Sequence, residues 1–241
     1  MKLYMPTKVY NEKGCVRQHS QELAALGTKA LLVTGRHSSR VNGSLQDVED
    51  ALNREQVPYV IFDGIEENPS VETVMRATAL GLSEKVDFVI GIGGGSPMDC
   101  AKGIGARVML PKKSVPQLKG VLKVTLGKPF GKLPPLVAIP TTSGTGSEAT
   151  LAAVISNPDT HEKYPINDPK IIPRYIVMDP ELTIGLPPHI TSTTGMDALT
   201  HAIEGYITKG HCVISDMFHL EAIKLISENL RGAVQNTPEG R

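Results

Sequence analysis

An aspartate and a histidine four positions apart are the residues of this 241-residue sequence best suited to metal chemistry. Because side chains at i and i+4 leave the same face of a helix, Asp197 and His201 are predicted to point to one spot if this segment is helical. A transition metal with a position open for substrate needs three or four protein ligands. The pair is therefore half of a metal site. Since no His-rich motif follows before Arg241, the other ligands are either missing or come from an unexpected part of the chain.

A glycine-rich loop is the second feature that could bind a ligand. Residues 91–99 read GIGGGSPMD and end a nearly continuous apolar run. Ser96 is predicted as a helix N-cap, with Pro97 at the first helical position and Asp99 at the third. The glycines would let a diphosphate approach the main chain, and the helix dipole favours an anion there. The loop is not the ordinary G-x-G-x-x-G dinucleotide motif, because Ser96 replaces the last glycine and the loop follows the third strand rather than the first. The alternative is a tight glycine turn without a ligand.

A polar loop at 140–148, with the sequence PTTSGTGSE, follows another apolar run. Its hydroxyl groups and amides could line a phosphate or a nicotinamide, although such clusters are as often ordinary loops. Two familiar motifs are excluded. The tripeptide GKL at 131–133 lacks the Ser or Thr of a Walker motif, and SPM at 96–98 lacks the glycine of a nucleophile elbow.

The composition excludes several classes of function. The 25 Lys and Arg residues balance the 25 Asp and Glu residues, which argues against nucleic acid or an anionic membrane surface as a partner. No apolar run is long enough to span a bilayer. Three scattered cysteines, and no leader sequence at MKLYMP, predict a cytoplasmic location.

Alternating apolar runs and amphipathic segments predict an α/β fold with an open parallel, Rossmann-like sheet. Strands are predicted at 29–34, 58–63, 86–92, 135–139 and 171–178. A Lys-rich stretch at 112–132 is predicted to be a solvated connector. Strand patterns end near residue 181, and helical periodicity follows at 198–207 and 215–230. We therefore predict a dinucleotide-binding α/β domain over 1–181 and the beginning of an all-helical metal and substrate domain over 182–241.

Two helices of the first domain have predicted caps and apolar faces. A capping box at 44–47 is predicted to begin one helix, and the segment Asn68-Pro69-Ser70 is predicted to cap another. The apolar face of the first comprises Leu45, Val48, Ala51 and Leu52, and that of the second comprises Val71, Val74, Met75, Thr78, Ala79 and Leu82.

Five motifs together resemble those of the iron-containing alcohol dehydrogenase family. They are GGGSPMDCAK at 93–102, IPTTSGTGSEAT at 139–150, KYPI at 163–166, MDPELT at 178–183 and TTGMDALTHAIEGY at 193–206. The resemblance covers essentially the whole chain and implies that Asp197 and His201 are catalytic residues and the first two iron ligands. It implies cofactor contacts from Gly94, Gly95, Ser96, Thr141, Thr142, Thr145 and Lys163, with Asp99 in the same glycine loop. The predicted cofactor set also includes Gly35, Ser38, Ser39, Asn68 and Leu182.

The resemblance also implies what is missing. Members of this family are longer and supply two more metal-binding histidines from a later helical region, so the sequence resembles a C-terminally truncated member. His211 and His219 do not fall at those positions. With two ligands, we expect Fe²⁺ to be bound in part, to be absent or to be replaced by Zn²⁺.

The end of the first predicted strand bears on the choice of nicotinamide cofactor. Many relatives that use NAD carry an aspartate where this sequence has Gly35, and that carboxylate can hydrogen-bond the adenosine ribose. Without it, Ser38 and Ser39 offer donors and Arg36 or Arg40 offers positive charge, which predicts a preference for NADP(H) over NAD. The alternative is that both arginines are merely solvated.

The resemblance implies an NAD(P)-dependent oxidoreductase that transfers hydride reversibly between the cofactor and a small primary alcohol or aldehyde, with Fe²⁺ as Lewis acid. One alternative is a non-catalytic dinucleotide-binding and dimerisation module. Another is a zinc enzyme of the glycerol dehydrogenase type or a cyclising synthase of the dehydroquinate type. A homodimer is expected, because the resemblance implies that N-terminal strands pair between subunits, a role that 2–10 could serve, and because some apolar helix positions would lack cover. Those positions are Ile203, Ile207, Leu220, Ile223 and Leu230.

Overall fold

A six-stranded parallel sheet forms the centre of the larger part of the chain. The computed structural model describes residues 4–127 and 132–236. The strands are β1 Lys8–Asn11, β2 Ala30–Gly35, β3 Tyr59–Ile65, β4 Phe88–Gly93, β5 Gly120–Val121, β6 Leu136–Pro140, β7 Ala152–Asn157, β8 Glu162–Asn167 and β9 Tyr175–Met178. The α-helices are α1 Cys15–Gln18, α2 Ser20–Ala24, α3 Ser38–Val41, α4 Ser44–Arg54, α5 Val71–Ser83, α6 Gly95–Met109, α7 Pro188–Ile207 and α8 Val213–Gln235. Short 3₁₀ helices lie at Pro116–Leu118, Ser147–Ala149, Pro169–Ile171 and Pro180–Thr183.

The sheet has the order β1-β9-β6-β4-β2-β3, and every neighbouring pair in it is parallel. This confirms the predicted fold class. The central strands β4 and β6 are buried along their whole length because packed side chains cover both faces of the sheet. From β2 the chain runs outward to β3 and then returns to the other side of β2 with β4. The strand order therefore reverses between β2 and β4, and open α/β sheets bind ligands outside the carboxyl ends of the strands at such a reversal.

Helix α4 buries the predicted apolar face, since Leu45, Val48, Ala51 and Leu52 are all buried. The face predicted for α5 is partly wrong. Met75 and Leu82 of that set are 37% and 49% exposed. The buried residues of α5 are Thr73, Val74, Ala77, Thr78 and Gly81. At Gly81 the helix comes close to the sheet, where an added Cβ would lie 3.4 Å from Leu31 of β2, so the predicted face is rotated from the one that packs.

The two predicted helix caps have different outcomes. Ser70 is the N-cap of α5 as predicted, and its hydroxyl accepts a hydrogen bond from the amide of Thr73 at 3.1 Å. The capping box at the start of α4 is wrong. Gly43, with a φ of 79°, precedes that helix, and Ser44 instead donates to the side chain of Asn42 at 2.7 Å. The intended N3 carboxylate, Asp47, pairs with Arg17.

A second, three-stranded sheet was not predicted. Its strand order is β5-β8-β7, with β7 and β8 antiparallel. Pro165 lies within β8, and β5 has only two residues, so neither gives a clear strand pattern in the sequence. The segment 112–132, predicted to be a solvated connector, is instead partly packed, because Val115, Leu118 and Val124 are fully buried. Residues 128–131 of this segment lie outside the described residues.

The N-terminal strand β1 belongs to the six-stranded sheet. Lys8 to Asn11 pair in parallel with Tyr175 to Met178, which places β1 at one edge. Residues 2 and 3 of the strand predicted to pair between subunits lie outside the described residues. Pairing of 2–10 across a dimer stays a prediction.

The last part of the chain is a helical hairpin of α7 and α8. An added Cβ on Gly195 would lie 2.3 Å from a methyl carbon of Leu230, so the helices pack closely at this glycine. Of the apolar positions expected to lack cover, Ile203, Ile207 and Leu220 are exposed. As predicted, no strand follows residue 181 among the described residues. These helices have 20 and 23 residues, yet no helix in the described part of the chain combines the length and apolar character that crossing a membrane requires.

The contacts divide the chain into two units. The larger comprises Pro6–Thr141 and Ser147–Leu182, and the smaller comprises the described residues of Met1–Met5, Thr142–Gly146 and Thr183–Arg241. The loop 142–146 thus groups with the helical hairpin. A domain boundary between residues 181 and 182 stays a prediction.

Candidate functional site

The larger unit brings three predicted site segments to one edge of the sheet. Gly35 ends β2, Gly93 ends β4 and Pro140 ends β6, and these are neighbouring parallel strands. The amide of Thr141 donates to the carbonyl of Gly93 at 3.0 Å, which ties the beginning of the second polar loop to the glycine loop. Because the edge includes the reversal between β2 and β4, these loops lie where an α/β sheet binds its ligand.

The glycine loop has a conformation that needs its glycines. Gly93 has a φ of 137°, and an added Cβ there would lie 2.9 Å from Pro97. Helix α6 begins at Gly95 with Gly94 as its N-cap, and this glycine has no side chain to accept a hydrogen bond from the first turn. The prediction of Ser96 as the cap is wrong, because the helix starts before it. The first amides of this 15-residue helix therefore have no side-chain cap among the described residues and can receive an anion.

Ser96 has a different role from capping. Its hydroxyl accepts a hydrogen bond from the amide of Asn68 at 3.1 Å, and Asn68 has a φ of 55°. The structure thus joins two residues of the predicted cofactor set that are 28 positions apart. The contact fixes the segment before α5 against the glycine loop.

Asp99 faces the interior of the larger unit. One oxygen of its carboxylate accepts from the hydroxyl of Ser147 at 2.6 Å and the other from the amide of Val154 at 2.9 Å. Burial raises the pKa of Asp99, and these two hydrogen bonds oppose that shift. Asp99 was predicted at N3 of a capped helix, and its contacts show that it instead joins α6 to the segment 147–154. Its inclusion in the cofactor set stays a prediction that these contacts do not favour.

Lys102 lies on α6, the helix that begins at the glycine loop, and it was not among the predicted site residues. It is only 1% exposed, and its ammonium donates to the carbonyl oxygens of Ser147 at 2.5 Å, Thr150 at 2.9 Å and Ala152 at 2.7 Å. Burial lowers its pKa to about 8, while the charges of Asp99 and Glu148 act in the opposite direction. A charged residue inside the apolar stretch CAKGIGA of α6 was the available sequence signal.

The predicted adenosine-binding residues at the end of β2 differ in their exposure to solvent. Gly35 has room for a side chain, since an added Cβ would lie 3.7 Å from the carbonyl of Ile65. Ser38 is exposed, but Ser39 is fully buried and its hydroxyl has no hydrogen-bond partner among the described residues. Its burial does not favour the predicted contact with a cofactor, which stays a prediction.

The two arginines of this segment have different surroundings. Arg40 pairs with Asp63 at 2.7 Å, and both side chains are about half exposed. Arg36 is exposed and forms no ion pair within the described part of the chain. Of the two, Arg36 is therefore the better candidate for binding an anionic ligand.

The remaining predicted cofactor residues are spread over other elements. Lys163 is exposed on β8. Leu182 is buried in a 3₁₀ helix, and its carbonyl accepts from the side chain of Asn42 at 3.4 Å. Thr142 and Thr145 belong to the smaller unit, and the hydroxyl of Thr142 is buried without a partner among the described residues.

Asp197 and His201 lie on one face of α7, as their spacing predicts. The Asp197 Oδ1 and His201 Nε2 atoms are 3.8 Å apart, and the side chains are 45% and 52% exposed. The other ring nitrogen, Nδ1, lies 3.1 Å from the carbonyl oxygen of Gly144. Asp197 and His201 therefore each present one possible metal-binding atom at the same site on the surface of the smaller unit.

A third metal ligand is not found near this pair in 4–127 and 132–236, where no group of three or more His, Cys, Asp or Glu side chains could hold a metal ion. His211 pairs with Asp216 at 3.0 Å. His219 packs against Gly205, where an added Cβ would lie 2.3 Å from its ring. Neither histidine forms a three-residue group with Asp197 and His201 in the described part of the chain, and their having no metal-binding role stays a prediction.

An open parallel sheet with a glycine loop at its strand reversal is the architecture of nucleotide-binding α/β proteins. The chain belongs to the iron-containing alcohol dehydrogenase family. The model of that family matches residues 6–180, and the model described as the C-terminal part of the Fe-containing alcohol dehydrogenase family matches residues 191–240.

Similar proteins include several dehydrogenases. An NADPH-dependent butanol dehydrogenase of Clostridium saccharobutylicum is 36% identical over 241 residues, which are 100% of this chain and 61% of that protein. A 1,3-propanediol dehydrogenase of Klebsiella pneumoniae is 40% identical over 86% of this chain and 52% of its own length. The crystal structure of an iron-containing alcohol dehydrogenase from Thermotoga maritima is 38% identical with a TM-score of 0.91, and the match covers 99% of this chain and 64% of that one. The chain thus spans between about half and two thirds of the length of these relatives.

Proposed function

We propose that this protein is an NADP(H)-linked oxidoreductase of the iron-dependent type, which transfers hydride reversibly between the cofactor and a small primary alcohol or aldehyde. The observation that carries the proposal is the convergence of Asp197 and His201 on one face of α7, with Oδ1 and Nε2 3.8 Å apart. Family membership and the glycine loop at the strand reversal support it. We further propose a homodimer and a cytoplasmic location.

The residues of the sheet edge fit a dinucleotide. The uncapped amides at the start of α6 would bind the diphosphate, with Gly94 and Gly95 permitting close approach of the main chain. The backbone of Thr141 closes the same edge through its bond to Gly93. A bound nicotinamide supplies the site at which hydride is accepted or donated.

Asp197 and His201 fit a divalent metal ion, although they provide only two ligands. A carboxylate oxygen and an imidazole nitrogen are donors that suit Fe²⁺ or Zn²⁺. Asp197 and His201 would hold the ion, and when bound it supplies Lewis-acid stabilisation of charge on the alcohol or carbonyl oxygen of the substrate. Because two donors leave most of the coordination shell to water, we expect weak binding by these residues alone.

The cofactor preference is a finer proposal. Because residue 35 is a glycine, it provides no carboxylate at the end of β2. The exposed Arg36 offers a positive charge to the 2′-phosphate of NADP. The name of the butanol dehydrogenase relative agrees with this choice, since that protein is described as NADPH-dependent.

A second candidate function is a dinucleotide-binding and dimerisation module without catalysis. The observation that favours it is the absence of a third ligand beside Asp197 and His201 among the described residues. A zinc enzyme of the glycerol dehydrogenase type is a weaker alternative, because family membership favours the iron enzymes.

Purified protein of this sequence distinguishes the two main candidates. We expect it to bind NADPH, to oxidise a simple primary alcohol with NADP, to respond to Fe²⁺ added without oxygen and to lose activity with a chelator. Asp197→Asn is expected to abolish the response to Fe²⁺ and to leave NADPH binding unchanged. Binding of NADPH without any turnover at saturating Fe²⁺ would favour the module, and no binding of either dinucleotide would refute both.

A further inference from the structure

The main chain of Gly144 contacts His201, one of the two proposed metal ligands, and the proposed function does not use this contact. The carbonyl oxygen of Gly144 lies 3.1 Å from Nδ1 of His201. A carbonyl oxygen can only accept a hydrogen bond, so Nδ1 must carry the proton in this contact. In a neutral imidazole the other nitrogen is then unprotonated, which leaves the lone pair of Nε2 free.

That lone pair faces Asp197. With Nδ1 protonated, Nε2 and the Asp197 carboxylate are two electron-rich atoms 3.8 Å apart with no hydrogen between them. Typical metal–nitrogen and metal–oxygen bonds of about 2.0–2.2 Å add up to slightly more than this separation, so one cation can contact both atoms. The hydrogen bond that His201 donates to the carbonyl of Gly144 thus selects the form of His201 that binds a metal.

The position of this carbonyl depends on glycine. Gly144 has a φ of 143°, and an added Cβ would lie 2.1 Å from the carbonyl oxygen of Thr194 and 2.8 Å from its carbonyl carbon. Thr194 precedes Asp197 by three residues and His201 by seven, so the three residues share one face of α7. The loop therefore lies directly on the backbone of this face, where only glycine fits.

We propose that Gly144 is a positioning residue for the metal site, whose carbonyl oxygen holds His201 as the Nδ1–H tautomer and leaves Nε2 as the ligand. The proposal rests on the proposed function, because it assigns His201 to a metal. Ligating histidines generally bind their other ring nitrogen to such an acceptor, and loss of the acceptor costs about 10–100-fold in metal affinity or activity.

The test measures the tautomer of His201 in the metal-free protein and then the affinity of the protein for Zn²⁺. In the wild-type protein at alkaline pH, nitrogen NMR of labelled histidine should give a protonated Nδ1 and an unprotonated Nε2 for His201. In Gly144→Ala the Cβ forces the loop away from Thr194, so the Nδ1–H preference should be lost. The affinity for Zn²⁺, followed by the shifts of His201 and Asp197, should fall by about 10-fold or more.

A matched control makes the same Gly→Ala substitution at another position of the smaller unit. No atom of the described residues lies within 4 Å of a Cβ added to Gly185, so Gly185→Ala should leave both the tautomer and the Zn²⁺ affinity unchanged. If Gly144→Ala does not fold, the wild-type tautomer still decides, since a protonated Nε2 on His201 overturns the proposal.

Failure of the inference and failure of the proposed function differ. Zn²⁺ that binds at Asp197 and His201 with equal affinity in the wild type and in folded Gly144→Ala overturns the positioning role and leaves the metal site standing. Zn²⁺ that shifts neither residue in the wild type overturns the metal site itself, and the positioning role with it.

Discussion

The ammonium nitrogen of Lys102 lies 2.7 Å from the carbonyl oxygen of Ala152, a residue 50 positions further along the chain. With the bonds to Ser147 and Thr150, this contact joins the helix that begins at the glycine loop to the segment 147–152. Since an ammonium has three hydrogens, three carbonyl oxygens satisfy it. The buried charge is therefore matched by acceptors, and its main effect is to hold this segment on α6.

Removing the ammonium should destabilise the larger unit. Lys102→Met keeps the length of the side chain and leaves three carbonyl oxygens without this donor, which we expect to lower the free energy of unfolding by about 2–4 kcal/mol. Denaturant unfolding measures the change. Lys13→Met, at an exposed position, is the control and should change stability by less than about 0.5 kcal/mol. Equal stability of both variants would contradict a structural role for the Lys102 bonds.

The same side chain predicts a dependence of stability on alkaline pH. Burial lowers the folded-state pKa of Lys102 to about 8, from 10.5 for the ordinary side chain. Between these values the unfolded chain binds more protons at this site than the folded protein, so this contribution to the free energy of unfolding rises with pH. The penalty is complete below pH 8 and is relieved by pH 10.5.

The comparison with Lys102→Met isolates this site from other titrating groups. The stability difference, wild type minus variant, should grow by about 3 kcal/mol from pH 8 to pH 10.5. Unfolding curves at several pH values in this window measure it. A difference that stays constant would mean that the acceptor carbonyls keep the folded-state pKa near its ordinary value.

Gly35→Asp should change the choice of dinucleotide. The added side chain has space, because its Cβ would lie 3.7 Å from the nearest atom, the carbonyl oxygen of Ile65. A carboxylate there would repel the 2′-phosphate of NADP and accept from the free 2′-hydroxyl of NAD. We expect the ratio of NADPH to NADH affinity to fall by about 10-fold or more, measured by fluorescence titration.

Gly185→Asp is the control for added charge, since that position is open and belongs to the other unit. It should leave the ratio of affinities unchanged. Wild-type protein that already binds NADH and NADPH equally would refute the NADP preference before any substitution is made.

The two arginines after β2 should not contribute equally to NADPH binding. Arg40 already pairs with Asp63, whereas Arg36 forms no ion pair within the described part of the chain. Arg36→Ala is therefore expected to weaken NADPH by about 10-fold, with NADH little affected, and Arg40→Ala is expected to weaken it less. Titrations with both dinucleotides measure this. A larger loss from Arg40→Ala would reverse the assignment.

The sequence predicted what depends on neighbours in the chain. The apolar runs placed β2, β4 and β6 within about two residues, and Ser70 was identified as a cap because its partner, Thr73, is three positions away. The i and i+4 spacing placed Asp197 and His201 on one face, because helical geometry alone fixes that relation.

Interactions between distant segments were decided by the tertiary structure. Ser96 matches the local pattern of an N-cap, but its hydroxyl instead accepts from the amide of Asn68, which is 28 positions away. Lys102 reads as a surface charge until its acceptors are brought to it from a segment about 50 residues away. Likewise, the bond from His201 to Gly144 spans 57 positions. Periodicity encodes which face of an element is apolar, whereas a polar side chain takes whichever partner packing brings within reach, and that choice exists only once the chain has folded.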